Sequence, residues 1–189
     1  AIPKTPREGL IKTFKDAGYV ISIEPQTQQN AGTLGVCVLV DTAGETYAAQ
    51  KAQILTMLKD YTVAGLYYSG TERGDVTLSN GQVFEFGFYP PSKKEASLKL
   101  DITLSKNSTI LADKEDEVKD KLLANLAQLY TLGNNFEPEK YFTISRDAPY
   151  ASAVKLQWKT DGAYSAAVYQ ADFKDLWLFD KERIEVVIA

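Results

Sequence analysis

Asn80-Gly81 constrains this chain more than any other pair of residues. A tight hairpin turn of this kind needs φ > 0, which Asn and Gly tolerate, and β-rich residues flank the pair on both sides. Val76 and Leu78 before it, and Val83, Phe84, Phe86 and Phe88 after it, are expected to form two paired strands. Pro90-Pro91 cannot donate to a ladder and ends the second strand, and a short charged run, Ser92 to Ala96, follows. Leu98, Leu100, Ile102 and Leu104 then alternate as a third strand.

Before the hairpin, Thr5-Pro6-Arg7-Glu8 reads as a helix start in which Thr5 caps, Pro6 takes the first helical position and Glu8 closes a capping box. Leu10, Ile11, Phe14 and Ala17 share a face, and Gly18 supplies a left-handed stop. Tyr19 to Glu24 and the apolar run Leu34 to Val40 read as an antiparallel pair, the second strand buried on both faces and therefore central. Glu45 to Asp60 has helical spacing, Ala64-Gly65-Leu66 begins a link, and Tyr67 to Gly74 is expected to be an exposed loop.

After the third strand, Asp113 to Thr131 places Val118, Leu122, Leu126 and Leu129 on one helical face, with acidic residues in the first turn and Gly133 as the stop. A shorter helix starts at Glu137-Pro138-Glu139, ending by Pro149. Ala153 to Lys159 and Tyr164 to Tyr169 flank the turn residues Thr160-Asp161-Gly162 as a hairpin, and Arg183 to Ile188 is a final strand. The expected class is α+β: two small α/β units, residues 1–66 and 96–189, each with helices on a mostly antiparallel sheet, joined through a hairpin segment at 67–95. Both halves hold a helix followed by two strands, but no side-chain pattern repeats at a fixed offset, so this is not read as a duplication.

Composition removes several kinds of chemistry. The chain has no histidine, which excludes Ser-His and Cys-His nucleophile systems and imidazole zinc sites. Its one cysteine, Cys37, lies in an apolar run and is read as a small core residue. A net charge of −4 gives no footprint for nucleic acid. No apolar run approaches the roughly 18 residues that span a bilayer, and the first residues lack a signal-peptide layout, so no membrane insertion is expected.

Asp113, Glu115, Asp116, Glu117 and Asp120 lack the ligand spacing and central glycine of a calcium loop, and the interleaved lysines make them a solvated helix start. Arg73-Gly74-Asp75 spells an integrin-type tripeptide, and Asn107-Ser108-Thr109 a glycosylation acceptor, but both need an extracellular context that the sequence does not supply. Gly65, Gly70, Gly74 and Gly81 do not have phosphate-loop spacing. No pair of titratable groups stands out as acid and base, so no catalytic, cofactor-binding or metal residue is assigned and no cofactor is expected.

The element order resembles the baseplate J-like proteins, wedge components of contractile phage tails and related injection machines. The likeness rests on a glycine-introduced strand, Gly35 to Val40, a helix, Gln50 to Lys59, and then Gly65, Gly70, Val76, Asn80-Gly81-Gln82, Phe86 and Pro90. A strand at Leu98 to Leu104, a long helix ending in Leu132-Gly133, the segment Phe136 to Ile144 and a closing hairpin complete it. The resemblance implies a non-enzymatic structural protein of the virion, assembled in the host cytoplasm. It would work by contact with copies of itself and other baseplate or tail proteins during tail assembly and injection. Family members are usually longer at the amino end, so a fragment or a compact variant is expected, and contacts of that region are not carried over. The expected contact residues are Tyr67, Tyr68, Arg73 and Asp75 in one loop, and Trp177 and Phe179 in the aromatic segment Asp172 to Phe179. The alternative is a ligand- or carbohydrate-binding α/β module that uses Tyr67, Tyr68 and Trp177 as a stacking surface.

Overall fold

The computed structural model describes residues 6–62, 66–106, 108 and 114–189. The expected cap Thr5, the link residue Gly65, the acceptor Asn107 and the helix start at Asp113 fall outside them. The chain divides into two compact units, Ala1–Ser92 and Lys93–Ala189. The described residues form four α-helices and eight strands in three small, mostly antiparallel sheets, so the class is α+β.

In the first unit, helix α1 (Pro6–Asp16) buries Leu10 and Phe14, while Ile11, a third of a turn away from Leu10, is exposed. It stops as its sequence predicts. Gly18 takes φ +86°, with Gly18 N–H donating to Lys15 O and Tyr19 N–H to Phe14 O, the two bonds of a Schellman cap. Strand β1 (Ile21–Ile23) pairs antiparallel with β2 (Thr33–Val38). After helix α2 (Tyr47–Asp60), strand β3 (Tyr67–Ser69) pairs parallel with the other side of β2. The central place expected for β2 follows: Val36, Cys37 and Val38 are buried in succession, Cys37 as a core residue.

The segment 67–74 is not the exposed loop that its glycines suggest. It is β3 followed directly by β4 (Glu72–Thr77), and the glycines serve close packing. Gly70 has φ +153°, and a Cβ there would lie 2.3 Å from Phe88 N and O. At Gly74 a Cβ would lie 2.6 Å from Leu55 Cδ1, so this strand position is kept bare for α2. Arg73-Gly74-Asp75 is therefore a strand segment and not a loop tip.

The hairpin forms between β4 and β5 (Val83–Phe88), in register from Glu72↔Phe88 to Thr77↔Val83. Its turn is one residue longer than the two-residue form. Gly81 N–H donates to Leu78 O, Leu78 N–H donates to Gln82 O, and Gly81 takes φ +84°, which makes Ser79-Asn80-Gly81 a three-residue loop with a left-handed glycine. The hairpin does not stand apart as a connector. Val76, Phe86 and Phe88 share one core with Leu10, Phe14, Ile54 and Leu58, so it belongs to the first unit, which extends to Ser92.

The second unit is built on a three-stranded sheet in the order β7-β6-β8. Strand β6 (Ser92–Leu104) includes the charged run expected as a link, and it buries Ala96, Leu98, Leu100 and Ile102. Helix α3 (Lys114–Leu126) covers them with Val118, Leu122 and Leu126, then tightens into a 3-10 turn at Ala127–Tyr130, with Gly133 at φ +74° beyond it. The short helix expected from residue 137 is split into a 3-10 turn, Pro138–Lys140, and a single turn, α4 (Ile144–Asp147). Strand β7 (Ala151–Lys159) pairs antiparallel with β6, and β8 (Asp175–Ile188) starts eight residues earlier than its β-branched end suggests. Tyr164 to Tyr169 does not form the expected hairpin strand; only Ser165 bridges Trp158, and Tyr169 bridges Phe136 instead.

Candidate functional site

A groove of about 860 Å³ lies at the turn end of the hairpin in the first unit. Its apolar surface is Leu66, Tyr67, Leu78, Phe84 and Phe86, and the end of α2 places Lys59 and Asp60 on the lining. Strand parity builds it. Phe84, Phe86 and Phe88 point to one side of β5, and the core closes over Phe86 and Phe88 but only partly over Phe84, which is left to line the groove. Two large apolar side chains of this region stand in water: Tyr67 is 62% exposed and Val83 is 60% exposed.

Parity also separates the two tyrosines of β3. Tyr67 reaches the groove, whereas Tyr68 is 2% exposed, packs edge-on to Phe86 at 5.3 Å and donates its hydroxyl to Tyr61 O at 3.3 Å. Burial pushes its phenol up to about 12. Tyr68 is a core residue and not a contact residue.

Arg73 and Asp75 lie on the exposed face of the hairpin, and the Arg73 charge is engaged within it. Asp75 is directly opposite Glu85 in register, and Arg73 Nε donates to Glu85 Oε1 at 2.8 Å, neutralising one of two adjacent carboxylates. At the strand's start, Tyr47 donates to the Glu72 carboxylate, with Lys51 Nζ 3.4 Å away. Burial, then the Glu72 hydrogen bond, raises the Tyr47 phenol far above its ordinary value, which keeps it a donor.

Of the six expected contact residues, Trp177 and Phe179 lie in the second unit and the other four in the first. Trp177 has no exposed surface. Its Nε1–H donates to Asn134 O at 3.0 Å, and its ring meets Phe136, Tyr169 and, in parallel, Phe179. With Tyr68 and Trp177 both buried, the stacking surface of a carbohydrate-binding reading is reduced to Tyr67. Phe179 is half-buried and borders a shallow hollow with Glu95, Lys181 and Arg183.

The groove residues Leu66, Leu78 and Phe84 were not expected as contacts from sequence. The available signal is Val83-Phe84, two adjacent large apolar residues on a strand, one of which must face away from the core. Among the described residues no cluster of three or more Cys, Asp and Glu side chains is placed to hold a metal ion, and no helix is long and apolar enough to cross a membrane. What the groove offers is an apolar floor, hydroxyl and amide groups from Thr62, Thr77, Ser79 and Gln82, and one charge of each sign. No family model matches the chain, and no curated protein matches it.

Proposed function

We propose that this chain is a structural subunit of a contractile-tail baseplate wedge, acting through protein–protein contact. The observation that carries the contact role is the apolar groove with Tyr67 exposed on its lining. Aromatic and aliphatic side chains gathered at one place on a surface are what a partner covers, with the polar rim setting register. Support for the baseplate assignment comes from the residues Gly70, Val76, Asn80-Gly81-Gln82, Phe86 and Pro90, in the order that baseplate J-like proteins resemble. Gly70 and Gly81 sit at positive φ in positions where a side chain is strained, so the pattern reflects geometry that such a hairpin requires.

In this reading the wedge holds one arrangement before injection and changes by rigid-body motion at its interfaces. Electron microscopy of virions labelled with antibody against this chain tests it. Label at the tail end is the expected result, and label absent from the tail overturns the assignment. Replacing Tyr67, the exposed residue of the groove lining, by aspartate is expected to release the chain from assembled tails while its circular dichroism stays unchanged. Retention of this variant in tails would exclude the groove as the contact.

A further inference from the structure

The sequence calls for a strand beside β7 that the fold does not supply. Trp158 N–H donates to Ser165 O at 2.9 Å, and Ser165 N–H donates back to Trp158 O at 2.8 Å, so the backbone groups of Trp158 point away from β6. Ser165 Oγ then accepts Ala167 N–H at 3.1 Å, which bends the chain off this edge, and Tyr169 pairs with Phe136 instead. Backbone direction alternates along a strand, so the N–H and C=O groups of Val154 and Leu156 point the same way as those of Trp158. The β6–β7 register is regular here, Leu100↔Leu156 and Ile102↔Val154, with the irregularity only at Thr103/Leu104. No described residue bonds to the outward groups of Val154 and Leu156. Val154 and Leu156 both line a recess beside this edge.

That recess is a groove of about 610 Å³ lined by Phe142, Ile144, Val154, Leu156 and Ala166 on its apolar side, with Glu139 and Lys155 also on its lining. Buried backbone donors and acceptors without partners cost free energy, and an added strand is the structure that satisfies a row of them. On the polar face Lys155 is exposed, opposite Asp101 in register, and has no ion pair among the described residues; Lys159, further along the same face, lies over the Tyr164 ring at 4.4 Å.

We propose that the outer edge of β7 takes up an extended segment of a partner protein as a fourth strand, in which apolar and acidic residues alternate. Its backbone pairs with Val154 and Leu156. The apolar side chains enter the recess beside Phe142 and Ile144, and an acidic side chain lies next to Lys155. A second copy's β7 is the wrong occupant, because it would bring the same lysine-bearing face against its like. This site is in the second unit and stands whether or not the baseplate reading does.

The test uses the full chain, labelled with nitrogen-15 and titrated with a synthetic peptide of alternating valine and glutamate. The expected result is saturable movement of the Val154 and Leu156 amide signals and their protection from hydrogen exchange. Methylating the peptide nitrogens that face β7 abolishes this, and Lys155→Glu, at an exposed position, weakens binding by about tenfold. A valine–lysine peptide is expected to bind the Lys155→Glu chain and not the native one. The proposal is overturned if both amides are unmoved at saturating peptide, or if the methylated peptide binds equally. Protection of both amides without peptide also overturns it, in favour of a second copy if it depends on protein concentration and of the chain's own 164–169 segment if it does not.

Discussion

Asp147 shows how one buried charge is kept. Its carboxylate accepts hydrogen bonds from Thr143 N–H at 2.9 Å, Asn125 Nδ2 at 3.2 Å and Arg146 Nη2 at 2.8 Å. Burial alone raises its pKa, but the bonds from Arg146, Thr143 and Asn125 outweigh burial and hold it below the usual carboxylate value. A carboxyl lowered in this way contributes stability that is present above its unfolded value near 3.8 and is lost as pH falls through the lower folded value. Asp147→Asn is therefore expected to cost about 2 kcal/mol at neutral pH, and to flatten the loss of stability below about pH 4, as read by urea unfolding across pH. Trp177→Phe keeps most of the packing but leaves Asn134 O without its donor, and a loss of about 2 kcal/mol is expected in the same measurement.

At the scale of elements, Gly70 governs where β3 ends and β4 begins. Gly70→Ala would drive a methyl group into the Phe88 backbone at a φ that L-residues rarely adopt, so a loss of about 3 kcal/mol or more is expected, with the damage reported by Phe88 and Tyr89 amides in hydrogen exchange. The same glycine marks what the sequence could and could not say. Elements with complete local signals were legible: α1 with its Gly18 stop, central β2 with its unbroken apolar run, and the β4–β5 pair around Asn80-Gly81. Elements fixed by distant partners were not. Tyr67-Tyr68-Ser69 becomes a strand because β2 offers it a parallel edge, and Ser92 to Ala96 continues as strand despite its charges because only alternate residues face the core. Tyr164 to Tyr169 had strand composition but was drawn to Phe136, and the groove was hidden because the partial exposure of Phe84 depends on where the core stops. Within the contact list, alternation along β3 decided that Tyr67 is a surface residue and Tyr68 is not.

At the scale of the molecule, the described residues form two hydrophobic cores that have no residue in common, one around Phe14, Leu58 and Phe88 and the other around Leu100, Leu122 and Trp177. Leu58→Ala is expected to cost about 3 kcal/mol, and to lower the stability read from hydrogen exchange of the Val36 and Phe86 amides more than that read from tryptophan fluorescence. Equal shifts in the two readings would mean that the cores melt as one. Tryptophan fluorescence reports on the second unit alone. Trp158 and Trp177 are the chain's two tryptophans, both in the second unit, with ring centroids 6.0 Å apart and planes 78° apart. Two indoles so close and so steeply crossed couple their electronic transitions, so this unit carries a circular dichroism couplet of its own while the other contributes none. A partner that orders or loosens the strand edge ending at Trp158 would therefore announce itself in the near-ultraviolet spectrum without any attached label.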